Sequence, residues 1–587
     1  MKGMIAVKFY TKVVGVSYDN RQEHIIQLEA EERLFLERDY NNEYDKNAIM
    51  VLTSSKNQIG FISKEVASTL APRIDDGAEY IVTISQITGL HPDENLGVNI
   101  YVEECVNPMV NTDFEIENGT LIKYCGYREI VNIPKNVTRI IYSSFANCDF
   151  ITKIIIHEGV NEFSGVPSLK ILESFEVDEN NQYYTSVDGI LFNKSKTRLI
   201  MYPPQKRNIK YVIPEGTTYI DNTFHNCQFL KELHVPSSVT MIQHDTFNHS
   251  ELLSGIIVNP NNSKYASIDG VLFEKNEKGE ITLLRYPEGK INSKYEIPSG
   301  VTWVADCAFR NCKNLQYIYV EPDHPWYISD NGILYRKFLN FGYNTNSYRI
   351  ALDAYPSGKK EEVFIIPNAV EIINAAAFCG CKYLKTIKCT NYITEISGHA
   401  FAECSSLERI VPNNTPNNNP SMFDNLFNNE KGLVLPTSIK IIGRSAFEGC
   451  HSITKVVIPA QLETSCMYVF DDCPNLSQIT VVQGSRKFKS IDGVLFERES
   501  SKTTLIKYPA QKNDSEYLIP DGVNSLGYKA FEDCDYLTSI VVPETVKHID
   551  NCAFVGCKNL KKLTLPARFI KETELFSDCI IENIIYS

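Results

Sequence analysis

Residues 531–557 read Phe531-Glu-Asp-Cys534-Asp-Tyr-Leu537-Thr-Ser-Ile540-Val-Val542-Pro543-Glu-Thr-Val546-Lys-His-Ile549-Asp-Asn-Cys552-Ala553-Phe554-Val-Gly-Cys557. The stretch opens and closes on the same phrase, Phe-x-x-Cys, and its two Phe lie 23 residues apart. Leu537 to Val542 alternates apolar and polar residues, as a short strand does. Pro543 ends that strand, because proline has no N–H to give to a ladder. Val546 and Ile549 form a second short apolar pair, and Ala553-Phe554 turns inward. One such unit leaves both flanks unburied, so it is stable only when stacked on copies of itself.

The copies are present. Clear units begin at Ile133, Ile213, Val235, Ile297, Ile366, Leu435, Ile458, Ile519 and Val542. Their aromatic anchors are Phe145, Phe224, Phe247, Phe309, Phe378, Phe401, Phe447, Phe470, Phe531, Phe554 and Phe576. Phe224 to Phe247, Phe378 to Phe401 and Phe447 to Phe470 repeat the 23-residue step, and a degenerate unit surrounds Phe423. Three residues after the anchor stands Cys148, Cys227, Cys312, Cys381, Cys404, Cys450, Cys473, Cys534, Cys557 or Cys579, with Ser250 following Phe247. Small, weakly polar side chains at one depth predict a ladder of reduced thiols along the interior. Metal binding by pairs such as Cys307/Cys312 and Cys552/Cys557 is the alternative, but Cys-x-x-Cys pairs with a matching second pair are missing.

Four insertions interrupt the period. Each carries Asp-Gly-[Ile/Val]-Leu-Phe or a near copy: Asp188 to Phe192, Asp269 to Phe273, Asp492 to Phe496, and Asn331 to Tyr335. Each is followed by Tyr-Pro, at Tyr202, Tyr286, Tyr508 and Tyr355 respectively. Asp-Gly between apolar residues signals a tight hairpin turn, so these are read as β-hairpins protruding from the edge of the repeat array. The acidic spacing of a calcium loop is not there. A 23-residue period lies within the leucine-rich-repeat range. The phrases resemble the BspA-type leucine-rich-repeat family over about residues 115–587. That resemblance implies a binding protein, often a surface-exposed adhesin.

Residues 1–105 lack the repeat. Val13 to Val16, Leu34 to Leu36, Ala48 to Val51, Gln58 to Ile62 and Ile81 to Ile87 read as short strands, with a polar turn at 53–57. Ser63 precedes Lys64-Glu65-Val66-Ala67, and Val66 and Leu70 share one helical face. A small β-barrel with one helix fits. The phrases Val14 to Gln22, Asn41-Asn42-Glu43-Tyr44-Asp45-Lys46-Asn47-Ala48-Ile49 and Ile59-Gly60-Phe61-Ile62 resemble a HIRAN domain over about residues 6–104. The resemblance implies contact with a single-stranded DNA end through Tyr18, Asn42, Tyr44, Asp45, Asn47, Phe61 and Lys64: Tyr18 and Tyr44 toward bases, Asp45 toward a terminal sugar hydroxyl, Asn42 and Lys64 assisting. Ser17 and Phe61 depart from the DNA-end binder, which has Arg and His there. The bottom-up alternative is that Asn42, Tyr44 and Asp45 only build a turn, since Asn and Asp favour turns for local reasons.

Charge limits these readings. The 587-residue chain has formal charge −14, and residues 1–105 hold ten Lys and Arg against seventeen Asp and Glu. DNA affinity depends on neutralised phosphates, so any DNA contact must be local. Lys2, Lys8 and Lys12 break the apolar run a signal peptide needs, and stretches long enough for a membrane span are lacking. The expectation is a cytoplasmic protein. A phosphate loop, a Gly-x-Ser-x-Gly elbow and a His-Glu-x-x-His are all missing from the sequence. His91 with Asp93 and Glu94 reads as a solvated turn, and His225, His244, His249 and His324 fall at different repeat phases. The fold class is therefore mainly β: a HIRAN-like barrel over 1–106, then a solenoid of 23-residue units over 107–587, with residues 105–115 as linker and Pro412 to Pro420 as a loop. The expected function is a non-enzymatic adaptor without cofactor or metal, joining a nucleic-acid end to a protein partner on the solenoid. A pure protein-binding scaffold and an adhesin-like surface protein are the alternatives.

Overall fold

The computed structural model describes residues 8–18, 20–28, 32–75, 80–89, 95–104, 113–141, 143–145, 148–164, 169–221, 223–243, 246–339, 348–412, 432–550, 552–571 and 583–586. The linker core at 105–112, most of the loop up to Pro420, the unit around Phe423, Phe576, Cys579, His91 with its acidic neighbours, and His244 lie outside these residues. The chain divides into two compact units, Met1–Gly189 and Ile190–Ser587.

The first unit begins with a closed six-stranded barrel. Its strands are β1 (Lys8–Val14), β2 (Arg33–Arg38), β3 (Ile49–Leu52), β4 (Gln58–Ile62), β5 (Tyr80–Thr88) and β6 (Gly97–Glu104), in the order β1-β4-β3-β2-β5-β6. Every neighbour pairs antiparallel. The inward row holds β-branched and other aliphatic side chains such as Ile49, Val51, Ile59, Val82, Ile100 and Val102, all fully buried, because these shapes pack well on a pleated surface. Helix α2 (Lys64–Asp75) closes the barrel with Ala67, Leu70 and Ala71. A second, five-residue helix, α1 (Arg21–Ile25), precedes β2 and buries Ile25. Val16, read as the end of a strand, instead lies within a turn: β1 stops at Val14 and Gly15 has φ +72°. Within this unit Arg33 of the barrel lies 4.2 Å from the Tyr127 ring centre and 5.1 Å from that of Phe150, and Lys56 lies 3.4 Å from Glu129.

The repeats form parallel β-turns of a solenoid. In the second unit six strands, from Val363–Ile365 through Lys455–Ile458 to Gln478–Val481, make one parallel sheet. In-register pairs such as Ile387↔Ile410 and Val456↔Ile479 place equivalent residues of successive turns side by side. The anchors stack inside: Phe378, Phe401, Phe447 and Phe470 have ring centres 4.9, 5.2 and 5.7 Å apart and planes within 14°. Each ring is buried, contributing about 2–3 kcal/mol by area. Holding the ring inward bends the backbone on both sides. The residues two before and two after the anchor take positive φ, as His399 and Glu403 do around Phe401 and Lys529 and Asp533 around Phe531. This explains why Asn, Asp or Gly recurs after the anchor, as the residue types that best tolerate that region.

The cysteine register is a hydrogen-bonded ladder. Sγ of Cys404, Cys473 and Cys557 donates to the carbonyl of the preceding turn's aromatic residue, Phe378, Phe447 and Phe531, at 3.0, 3.2 and 2.9 Å. Ser250 makes the equivalent bond to Phe224. The hairpin turns are as the sequence predicts: Asp269 and Gly270 have φ +47° and +71°, and Asp492 and Gly493 +49° and +80°, the two positive angles that suit the twist of a hairpin. The Gly carbonyl also accepts an N–H from the last strand of the preceding parallel sheet: Ile256 to Gly270, Ile318 to Gly332, Ile479 to Gly493, each within 3.0 Å. Each turn thereby covers a strand edge that would otherwise stay open. The inner ends of the hairpins are buried at Val271 to Phe273, while the tip from Asn276 to Glu280 is exposed. Tyr286, Tyr355 and Tyr508 of the Tyr-Pro phrases take the anchor's place, 5.8, 5.2 and 5.4 Å from the next Phe. A fifth such hairpin, missed in the sequence because Tyr124 precedes Cys rather than Pro, joins Phe114–Glu117 to Thr120–Tyr124 through Asn118-Gly119.

Candidate functional site

Barrel registry collects the sequence-predicted residues at one end. Met50 pairs with Phe61 and Phe61 with Val14, so the loop entering β3, the end of β4 and the turn after β1 are neighbours. The loop is residues 39–48. Asn42 Oδ1 accepts the N–H groups of Tyr44 and Asp45 at 3.1 and 3.0 Å, and its Nδ2 donates to Asp39 at 3.0 Å. Asp45 Oδ1 accepts the Asn47 N–H at 2.9 Å, and the Ala48 N–H returns to the Asp45 carbonyl at 2.9 Å. Asn42 and Asp45 thus build the turn by the local bonding that favours these residues there. The Tyr44 side chain takes no part in it: the residue is 90% exposed, and the turn holds it outward.

Arg38 fixes this loop to the barrel, a role the sequence reading did not assign. Its side chain is buried. Nη1 donates to the Ala48 carbonyl at 2.8 Å, Nη2 to the Lys46 carbonyl at 3.2 Å, and Nε to Asp75 at 2.9 Å on the last turn of α2. Tyr40 donates its hydroxyl to the same Asp75 at 3.0 Å. The Arg38 hydrogen bond, followed by that of Tyr40, holds the Asp75 carboxyl below its ordinary range.

A second cluster lies beside it. A side chain on Gly15 would meet Arg21, Tyr18 and Phe61 at 3.2, 3.7 and 3.9 Å, so these three surround the glycine. Arg21 donates to the Gly15 carbonyl at 2.8 Å and lies 5.2 Å from the centre of the Phe61 ring. Tyr18 is 69% exposed. Ser17 is exposed and uncharged, yet Arg21 brings a guanidinium to the patch from the start of α1. Lys64 is exposed at the first turn of α2, where helix N–H groups favour an anion. The end of the barrel thus offers two exposed aromatic faces, a half-buried third ring, and two cations, set on hydrogen-bonded turns. This is equipment for stacking planar groups and touching a few anionic oxygens.

Elsewhere, polar candidates resolve into structure. His225 and His249 do not sit apart as their repeat phases suggest; successive turns bring their rings to 5.0 Å between centres. His249 lies 3.7 Å from Glu403. His324 is buried and serves the hairpin that turns at Asn331-Gly332, the third when those at Asp188, Asp269, Asn331 and Asp492 are counted in chain order: Nε2 bonds the Val301 carbonyl at 3.0 Å, and Nδ1 accepts the N–H groups of Trp326 and Tyr327. Asn262 does the same work in the second hairpin. Among the described residues no group of three His, Cys, Asp or Glu is arranged to hold a metal ion, and no helix is long and apolar enough to cross a membrane.

A family model described as a BspA type leucine rich repeat region matches in six copies, at residues 115–211, 204–292, 288–332, 349–476, 419–517 and 510–587. A model of the HIRAN domain matches residues 7–104. None of the curated proteins matches. Among solved structures the chain is similar to a leucine rich cell surface protein from Faecalibacterium prausnitzii, at 18% identity over 76% of this chain and 89% of that one, with a TM-score of 0.27. It is similar to a leucine-rich repeat protein from Bacteroides ovatus at 17% identity, over 86% of this chain and 98% of that one, with a TM-score of 0.25. The HIRAN domain of human HLTF is 27% identical, over 17% of this chain and 78% of that one, with a TM-score of 0.14.

Proposed function

The chain belongs to the BspA-type leucine-rich-repeat family and carries a HIRAN domain, and from that premise we propose that it is a non-enzymatic adaptor. In this reading residues 1–106 form a nucleic-acid-contacting domain and 107–587 a solenoid that binds a protein partner in the cytoplasm. HIRAN domains are nucleic-acid-binding modules and leucine-rich repeats are protein-interaction modules. The observation that carries the proposal is the exposure of Tyr44 and Tyr18, at 90% and 69%, with Tyr44 held outward by the turn that Asn42 bonds. Stacking by such faces tolerates any base and is worth about 1–3 kcal/mol per base. Tyr18, Tyr44 and Phe61 are assigned to bases, the free oxygen of Asp45 to a terminal sugar hydroxyl, and Lys64 to a phosphate. Asn42 spends its side chain on the loop, while Asn47, which gives its backbone N–H to Asp45, stays assigned to the ligand. Reduced thiols whose hydrogens serve backbone carbonyls favour a reducing compartment.

The excess of seven negative charges over residues 1–105 favours a second reading, a scaffold whose barrel no longer holds DNA. Binding of the full chain to labelled single-stranded DNA, with free and blocked 3′ ends at two salt concentrations, separates the two. An adaptor binds the free end, loses about tenfold affinity in Tyr44→Ala, and weakens as salt rises. Absence of binding at low salt leaves the scaffold.

A further inference from the structure

The second hairpin unit contains an open cavity of about 200 Å³ where the third has almost none, about 10 Å³. The two are the same site in successive repeats. Tyr265 and Tyr327 each accept a backbone N–H from the turn before, that of Ile242 at 3.0 Å and that of Val304 at 2.7 Å. Each pairs across its hairpin with the residue of interest: Tyr265 with Glu274, Tyr327 with Arg336. Strand registry further matches Leu284 to Asp353, and the two tyrosine bonds match Met241, before Ile242, to Trp303, before Val304.

In the third hairpin the chain fills the site itself. The Arg336 guanidinium lies 3.8 Å from the centre of the Trp303 ring and 5.6 Å from that of Tyr327. It donates to the Val304 carbonyl at 2.7 Å and pairs with Asp353 at 2.8 Å. In the second hairpin a carboxylate, Glu274, stands where that guanidinium begins, and Leu284 replaces its partner. The fourth hairpin also has a Glu here, Glu497, but Ser465 donates to it. The residue at the Ser465 position in the second hairpin is Ile242, which has no such donor. Lys264 offsets one charge at 3.1 Å from Glu274. Asp306 adds another carboxylate to the lining. Arg285 is committed to Glu288 at 2.5 Å and to the Cys307 carbonyl at 2.8 Å.

We propose that this cavity binds a guanidinium or primary ammonium group on a slim apolar stem, seated between Glu274 and Asp306 beside the Lys264 ammonium, which lies 5.4 Å from the Tyr265 ring centre, in the place Arg336 occupies one unit on. The cation comes either from a free small amine or from an arginine or lysine side chain of a partner segment. Titration calorimetry of the full chain with two probes distinguishes them: agmatine, and a capped Ala-Arg-Ala peptide. Binding of either supports the site, and the stronger probe names the source. Glu274→Gln lowers affinity about tenfold, the scale of a charge-assisted hydrogen bond. Glu274→Arg combined with Leu284→Asp rebuilds the third unit's arrangement and abolishes binding, with the melting temperature reporting that the fold persists. The proposal is overturned if neither probe binds by about 10 mM, the weakest contact worth calling a site. It is equally overturned if a capped Ala-Glu-Ala peptide binds as well as the arginine one, or if a folded plugged variant binds like the native chain.

Discussion

The Sγ of Cys404 donates to the carbonyl oxygen of Phe378 at 3.0 Å, one turn away along the solenoid. The bond joins two features that recur together, an inward ring and the thiol three residues later. It adds a second hydrogen bond to a carbonyl that already accepts the Cys381 N–H at 3.1 Å within its own turn, and one such net hydrogen bond is worth about 0.5–1.5 kcal/mol.

Replacing this thiol should therefore depend on the donor, not on size alone. Cys404→Val, similar in volume, is expected to lose about 1 kcal/mol. Cys404→Ser should lose less, because Ser250 already makes the equivalent bond to Phe224. Urea unfolding of the two variants checks the order. In the native protein the register thiols should also resist thiol reagents: burial pushes Cys227 and Cys312 up to about 12. Among the described cysteines exposed Cys125 should react far sooner, and Cys125→Ser should remove its contribution to the fast phase.

His324 can be exchanged only for a residue with a donor and an acceptor at the same reach. Asn262 holds the equivalent three backbone groups in the second hairpin, the Val239 carbonyl and the N–H groups of Lys264 and Tyr265. His324→Asn should change stability by less than about 1 kcal/mol, whereas His324→Ala strands buried N–H and carbonyl groups and should cost about 2–4 kcal/mol. Equal losses in thermal melts of the two variants would refute the shared role.

Asp471 gives the solenoid a pH dependence opposite to ordinary acid unfolding. Burial pushes its carboxyl up to about 6, with Lys507 and Lys529 pulling down and Glu532 and Glu448 pushing up. A raised folded-state value means that the contribution to stability is whole below the ordinary carboxylate range and is lost as pH rises through about 6. Asp471→Asn should leave melting near pH 4 unchanged and stabilise the chain at pH 8 by about 1–3 kcal/mol. A native-like melting curve for this variant at pH 8 would show that the carboxylate is already well solvated.

Arg21 is the cation that compensates for Ser17, if the barrel contacts DNA. Arg21→Ala should weaken binding to single strands of any sequence and lower the slope of log affinity against log salt by about 1. Ser17→Arg should raise both. Anisotropy titrations at several salt concentrations decide, and an unchanged slope in Arg21→Ala removes Arg21 from the interface.

Much of this molecule is written in its periodicity. The 23-residue return of Phe-x-x-Cys determines a stacked solenoid, because a unit with two unburied flanks has no other stable arrangement. Asp269-Gly270 and its relatives determine hairpin turns, because only such residues readily take two consecutive positive φ angles. The Asn-x-Tyr-Asp phrase marked the loop that presents Tyr44. Tertiary structure decided what depends on which distant residues meet. It spent Asn42 on the turn, brought Arg21 against Phe61, tied Arg38 at the start of the loop to Asp75 on α2, and set His225 beside His249 although their repeat phases differ. It also made one hairpin unit open and the next closed. That contrast arises where a strand pair, a preceding turn and a following strand converge, and a side chain's size and charge there acquire meaning only from neighbours about 20 residues or more away in the chain.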